Sequence, residues 1–79
     1  MDGKLQTLLA EVFGLRPAEV HMELAKEDVA RWDSLRQMDL VMTLEGTYSV
    51  TLEIVDIVRM GSVAEIVAVL GEKGVTLGD

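Results

Sequence analysis

The side chains in this sequence that could do chemistry are few. There is one histidine, His21, and no cysteine, so thiolate chemistry and disulfides are excluded. His21 has no second histidine beside it to share a metal and reads as a surface or half-buried residue. Glu27-Asp28 lacks the D-x-[DN]-x-[DN]-G spacing of a calcium loop, and Gly71-Glu72-Lys73-Gly74 lacks the G-x-x-x-x-G-K-[ST] spacing of a phosphate loop. The first reads as a solvated acidic turn and the second as a helix end. Met22, Met38, Met42 and Met60 fall at apolar positions, where flexible thioethers either fill a core or line a pliable cavity for an alkyl chain. One hydroxyl stands apart. Ser34 lies between Asp33 and Leu35, and with Gln37 it has the S-x-x-Q spacing of a capping box, which puts it at an exposed helix start. No histidine or lysine adjoins it, so it has no base of its own to activate it.

The elements that must position Ser34 follow from periodicity. Leu5, Leu8, Leu9, Val12 and Phe13 recur at helical spacing, Gly14 sits where a C-terminal cap belongs, and Pro17 prevents continuation, which predicts a helix over 4–14. Residues 15–33 form a long connection, a type of segment that often carries function. In it Arg16 to Glu19 reads as a turn, Val20, Met22 and Leu24 can drop into a core, and 27–31 fits one helical turn. Leu35, Met38, Leu40, Val41, Met42, Leu44 and Tyr48 predict a helix over 34–47. Residues 50–58 fit two patterns. Val50, Leu52 and Ile54 alternate as in a strand, while Val50, Ile54, Ile57 and Val58 fit a helical face. An isolated strand would lack a partner, so a short helix over 53–58 is the better reading. Ser62 and Glu65 repeat the capping-box spacing before Val63, Ile66, Val67 and Leu70, and Gly71 and Gly74 mark the end of the last helix. The fold class is all-α: a bundle of three main helices plus a short third one in chain order, a single domain over 1–79 with its core at about 4–73 and a loose tail at 75–79.

Composition narrows function further. Fourteen acids against seven bases give a net charge of −7, which opposes binding to a phosphate backbone and suits basic protein partners. No apolar run approaches the roughly 18 residues of a membrane span, and the first residues lack the apolar block of a signal peptide, so a cytoplasmic, membrane-free monomer is expected. At 79 residues a self-contained catalytic pocket is improbable, and a binding or carrier module fits better than an enzyme.

Asp33-Ser34-Leu35, opening the second helix of a small acidic bundle after a long loop, resembles the acyl carrier proteins. The resemblance covers roughly residues 5–73. The run Asp39 to Glu45 is similar to the family's second helix, Tyr48 to its aromatic position, and Ser62-Val63 to the start of its last helix. It implies a four-helix fold, no catalysis by the chain itself, and a 4′-phosphopantetheine group on Ser34, attached from coenzyme A by a phosphopantetheinyl transferase. The arm's thiol would hold acyl groups as thioesters for loading and transferring enzymes. Asp33 is similar to an acid that helps position the transferase, and Leu35 to an exposed contact beside the arm. Such a phosphodiester would sit at the positive end of a helix dipole.

Three departures from the family pattern bear on partners. Trp32 stands before the motif where a small residue is common, Arg36 lies near the start of the second helix, and the acidic surface is thin. Residues 33–56 hold five acids, Asp33, Asp39, Glu45, Glu53 and Asp56, and one base, Arg36. Arg36, Asp39, Glu45, Glu53, Ile54, Val55 and Asp56 are therefore expected to form a mixed apolar and acidic docking face, and Met38, Met42 and Met60 to line an acyl-chain cavity. The pathway stays open between fatty-acid, polyketide-type and other specialised acyl transfer. The rival reading is an unmodified helical interaction domain in which Ser34 is only a cap.

Overall fold

Helices need side chains where their first N–H groups lack carbonyl partners, and this chain supplies one at the start of each of its three long helices. The computed structural model describes residues 1–77. Helix α1 (Gly3–Phe13) is capped by Asp2, whose carboxylate accepts from the Leu5 N–H at 2.9 Å. Helix α2 (Ser34–Tyr48) begins at Asp33, α3 (Ile54–Arg59) at Glu53, and α4 (Val63–Glu72) at Ser62, whose hydroxyl accepts from the Glu65 N–H at 3.2 Å. The fold is all-α, with three long helices and one short one, as the spacing predicts; no strand is formed among the described residues. Gly14 ends α1 in the left-handed region at φ 68°. A Cβ there would also meet the Arg31 guanidinium at 3.1 Å, so only glycine suits this turn.

The core is aliphatic. Leu5, Leu9 and Phe13 of α1 interleave with Leu40 and Leu44 of α2 and with Val63, Ile66, Val69 and Leu70 of α4, all essentially without solvent contact. The long connection is not loose. Val20, Leu24, Val29 and Trp32 are buried, and short 3₁₀ turns occupy Pro17–Glu19 and Lys26–Asp28. Its backbone is stitched to the α3–α4 junction by Lys26 N–H to Gly61 O (3.0 Å) and Val63 N–H to Leu24 O (2.9 Å). Met22, expected inward with its neighbours, is exposed instead, because it lies in the turn closed by the Leu24 N–H to His21 carbonyl bond at 3.0 Å. At the other end Val75 and Leu77 pack against the core, and the Val75 N–H bonds the Leu70 carbonyl at 3.0 Å, so the expected loose tail is seated through Leu77; residues 78–79 lie outside the described residues.

The short helix buries one of the acids expected on its docking face. Ile54, Val55 and Val58 project into solvent, each at least two-thirds exposed, while Asp56 is buried. Polar groups hold α3 in this orientation. The Asp56 carboxylate accepts from the Glu53 N–H at 2.9 Å and from the Lys73 ammonium at 2.8 Å, and the Arg59 guanidinium grips Glu72 with two bonds of 2.7 and 2.9 Å while approaching Glu65 at 3.5 Å. Only Ile57 and the following Met60 anchor it apolarly. Lys73 and the Glu53 N–H hold the Asp56 carboxyl below the usual carboxylate range, and Arg59 does the same to Glu72.

A carboxylate whose folded pKa is depressed contributes its full stabilisation above its unfolded pKa and loses it as pH falls through the folded value. The clamp on α3 should therefore be insensitive near neutrality and fail below about pH 4. Thermal melts followed from neutral pH into that range should show wild type losing Tm steeply. Asp56→Asn should start lower and lose less, because one of the titrating groups is gone. Equal acid losses in the two proteins would contradict the clamp.

Candidate functional site

Ser34 stands one residue inside the helix, not at its cap. Asp33 is the N-cap of α2: its Oδ1 accepts from the Arg36 N–H at 2.9 Å, and its carbonyl accepts from the Gln37 N–H at 2.8 Å. The capping box expected between Ser34 and Gln37 does not form: the Asp33 carboxylate caps the first turn, and the Gln37 amide is engaged elsewhere. The Ser34 hydroxyl is exposed and makes no hydrogen bond among the described residues. Leu35 beside it is 78% exposed. An unengaged hydroxyl at the positive end of a helix of 15 residues is placed to be acylated or phosphorylated by another protein. It is not placed to attack anything unaided, since the nearest carboxylate in sequence, Asp33, is occupied at the cap.

The amide freed from capping does something else. Gln37 Oε1 accepts from the Trp32 indole N–H at 2.7 Å, while its Nε2 donates to the carbonyls of Ile57 (3.0 Å) and Met60 (3.1 Å) at the end of α3. Trp32 is buried and stacks on Phe13, ring centroids 4.2 Å apart at 27°. The residue just before Asp33-Ser34 is thereby fixed to α1 by stacking and to α3 through one amide. Breaking this network strands part-buried polar groups, at a cost of about 1–3 kcal/mol for each one left unpaired.

Beside Ser34 opens a groove of about 440 Å³, within the range of small-molecule sites. Its walls come from three segments: Trp32, Asp33, Ser34, Gln37 and Met38 around the start of α2, Ile57, Val58 and Met60 at the end of α3, and Lys26 with Gly61 at the stitched junction. The Lys26 stem lies against Gly61, within 3.8–3.9 Å of where a Cβ would be, and no ion pair engages its ammonium among the described residues. Lys26, Trp32 and Gln37 were missed as site residues, and only the unusual Trp32 gave a signal.

The expected site residues separate into two groups. Asp33, Ser34, Leu35, Met38 and Met60 meet at the groove or its rim. Met42 does not: it is 68% exposed on the outer face of α2, one turn beyond the groove, so it is no cavity residue. Met60 is wholly buried and forms the floor. Among the expected docking residues, Ile54 and Val55 are exposed, as are Asp39 and Glu53, and Arg36 is half-buried and pairs with Asp39 at 3.7 Å. Asp56 is corrected to an internal clamp, since burial beside Lys73 removes it from any partner's reach. Glu45 also works internally, its Oε2 accepting from the Leu52 N–H at 2.8 Å to hold the α2–α3 turn. His21 is on the surface, 3.2 Å from Glu23, and no group of three potential metal ligands forms among the described residues. No helix there is long and apolar enough to cross a membrane.

The family model described as phosphopantetheine attachment site matches residues 3–70. The chain belongs to the acyl carrier protein family. It is 32% identical over 69 residues to an acyl carrier protein of Exiguobacterium sp. (strain ATCC BAA-1283 / AT1b), covering 87% of each chain. Its fold matches the solution NMR structure of a holo acyl carrier protein from Geobacter metallireducens with a TM-score of 0.78, over 89% of this chain and 80% of that one, at 23% identity. Phosphopantetheine is the prosthetic group of this family, and a carrier rather than a catalyst is what membership implies, which favours the carrier reading over an unmodified interaction domain. The residues present fit the group: an exposed, unengaged serine hydroxyl at a helix N-terminus, an open groove beside it, and a lysine on the groove's wall.

Because Asp33 and not Ser34 holds the cap, the two adjacent positions should separate by stability. Asp33→Ala should cost about 0.5–2 kcal/mol. Ser34→Ala should change stability by less than about 0.5 kcal/mol, as surface substitutions do. Urea unfolding of the two variants reads this directly, and a larger loss at Ser34 than at Asp33 would return the cap to the serine.

Proposed function

We propose that this chain carries acyl intermediates of fatty-acid, polyketide-type or other specialised biosynthesis on a 4′-phosphopantetheine arm bonded to Ser34. The observation that carries the reading is the exposed Ser34 hydroxyl, free of hydrogen bonds at the start of α2, in a chain whose family is defined by phosphopantetheine attachment. Attachment is work for a separate transferase. The Ser34 oxygen bonds to the phosphorus of the coenzyme A pyrophosphate that bears pantetheine, the bond to the nucleotide phosphate breaks, and the hydroxyl proton passes to the transferase's base. The arm supplies a terminal thiol for holding acyl groups. The chain's own part is to present Ser34, to place the new phosphodiester at the positive end of α2, and to offer Lys26 across the groove. Asp33 keeps the first turn of α2 formed while partners engage it.

Partners are loading and transferring enzymes that dock on the face made by Leu35, Met38 and Met42 of α2 with Ile54, Val55 and Val58 of α3, all exposed. Arg36, Asp39 and Glu53 lie on the same two helices. Burying one exposed Ile or Val contributes about 1.5–3 kcal/mol and depends little on salt. An exposed ion pair contributes about 0–1 kcal/mol and is screened. The apolar side chains should therefore set affinity and the acids the encounter rate. The chain acts as a monomer in the cytoplasm.

Incubation with coenzyme A and a permissive transferase should add one phosphopantetheine mass to wild type and none to Ser34→Ala, read on the intact protein. A gain that persists in the alanine variant would refute the attachment site. For docking, Ile54→Ser and Val55→Ser should each weaken transferase binding by roughly tenfold or more, corresponding to at least about 1.4 kcal/mol, with no loss of Tm because both side chains are already exposed. Asp39→Asn should mainly slow association at low salt. Affinity that collapses with salt and ignores the two serines would overturn the apolar docking face.

A further inference from the structure

The Gln37 amide does more than fill space between two helices. Its three hydrogen bonds, from the Trp32 indole and to the carbonyls of Ile57 and Met60, join the segment ahead of Ser34 to the C-terminal end of α3. The groove beside Ser34 runs up to this tie: Trp32 and Gln37 line it together with Met38, Ile57 and Val58, and the wholly buried Met60 is its floor. An alkyl chain passing from Ser34 into the bundle must go between α2 and α3. To let it through, α3 has to move away from α2, and every such displacement lengthens the two bonds from Gln37. The opposite side of α3 resists as well, since Asp56–Lys73 and Arg59–Glu72 fasten it to α4. Trp32 prevents the amide from swinging aside, because its ring is stacked on Phe13 and its N–H is committed to Oε1.

We propose that Gln37, oriented by Trp32, is a positioning residue that keeps α3 closed on α2, so that a chain carried from Ser34 lies in the outer groove and not inside the bundle. This rests on the carrier reading above. The groove's mixed walls, apolar at Met38, Ile57 and Val58 and polar at Lys26 and Asp33, hold a short chain without burying it. The cargo stays within reach of enzymes, and the fold's stability does not depend on what is carried.

The experiment loads wild type, Gln37→Ala and Gln37→Glu with acetyl-, octanoyl- and dodecanoyl-pantetheine from the corresponding coenzyme A thioesters. Loading is verified by intact mass, and Tm is compared across chain lengths. Wild type should show the same Tm for all three cargoes. In the variants Tm should rise by more than about 4 °C from acetyl to dodecanoyl as the released interior takes up the longer chain. Gln37→Glu keeps the acceptor for Trp32 but loses both donors to α3, so it reports the tie without a cavity if the alanine variant folds poorly. Loss of packing alone would lower Tm equally for every cargo and leave the chain-length dependence absent. Amide exchange in the unmodified proteins reads the tie by itself, and residues 57–61 should exchange about tenfold faster in the variants. A chain-length dependence in wild type, flat behaviour in both variants, or unchanged exchange would each overturn the proposal. Failure of wild type to gain mass would instead strike the carrier reading.

Discussion

The short third helix is fastened to its neighbours by polar groups while its apolar side chains face outward, and the surroundings of Ser34 follow from that arrangement. A helix of six residues is too short to hold itself in water. Its burial supplies little, since Asp56 is its buried residue and Ile57 is only partly covered. What remains are ion pairs to α4 on one side and the Gln37 amide on the other. Exposed ion pairs are individually weak, but here they orient an element whose apolar preference alone would have turned it over. The result is a row of exposed Ile54, Val55 and Val58 that a stable core would have consumed. Contiguous exposed apolar patches rimmed by polar residues are characteristic of interaction surfaces.

The same economy separates folding from chemistry at the start of α2. Asp33 takes the capping role and leaves the Ser34 hydroxyl unengaged, so modification of that hydroxyl need not disturb the first turn. Trp32 and Gln37 then fix where that turn sits, one through Phe13 of α1 and the other through the end of α3. Ser34 thus stands on a helix fixed from two sides, beside a groove with one cation in its wall. In the proposed role the chain contributes placement and leaves the chemistry to enzymes that bring their own bases.

Much of this was legible in the residues. The stripes of α1 and α4 span about three turns each, long enough for periodicity to choose a face, and Gly14, Pro17 and Ser62 mark their ends. Ser34 was legible as an exposed helix-start hydroxyl. The frame of the cap was not, because Asp33 and Ser34 are both good caps and spacing alone cannot rank adjacent candidates. The burial of Asp56 on α3 escaped for a related reason. Under two turns of helix give apolar residues on every side, and the deciding partners, Lys73 and Glu72, lie 13 to 17 residues away in sequence. Gln37 looked like a local capping partner, whereas its amide bonds carbonyls 20 and 23 residues on. Met42 carried the right chemistry for a cavity but sits on the wrong side of α2. Long-range polar contacts are what the pattern of single residues does not encode.

In the proposed arrangement Ser34 bears the arm and the arm lies outside a closed bundle. The most direct measurement is a comparison of amide chemical shifts between the unmodified chain and its octanoyl-pantetheinyl form. The changes should concentrate at Ser34 and Leu35 and along the groove at Lys26, Met38, Val58 and Gly61, while Leu40, Leu44 and Ile66 in the core stay where they are. Shifts spread through those core residues would place the chain inside the bundle, and none at Ser34 would remove the arm from it.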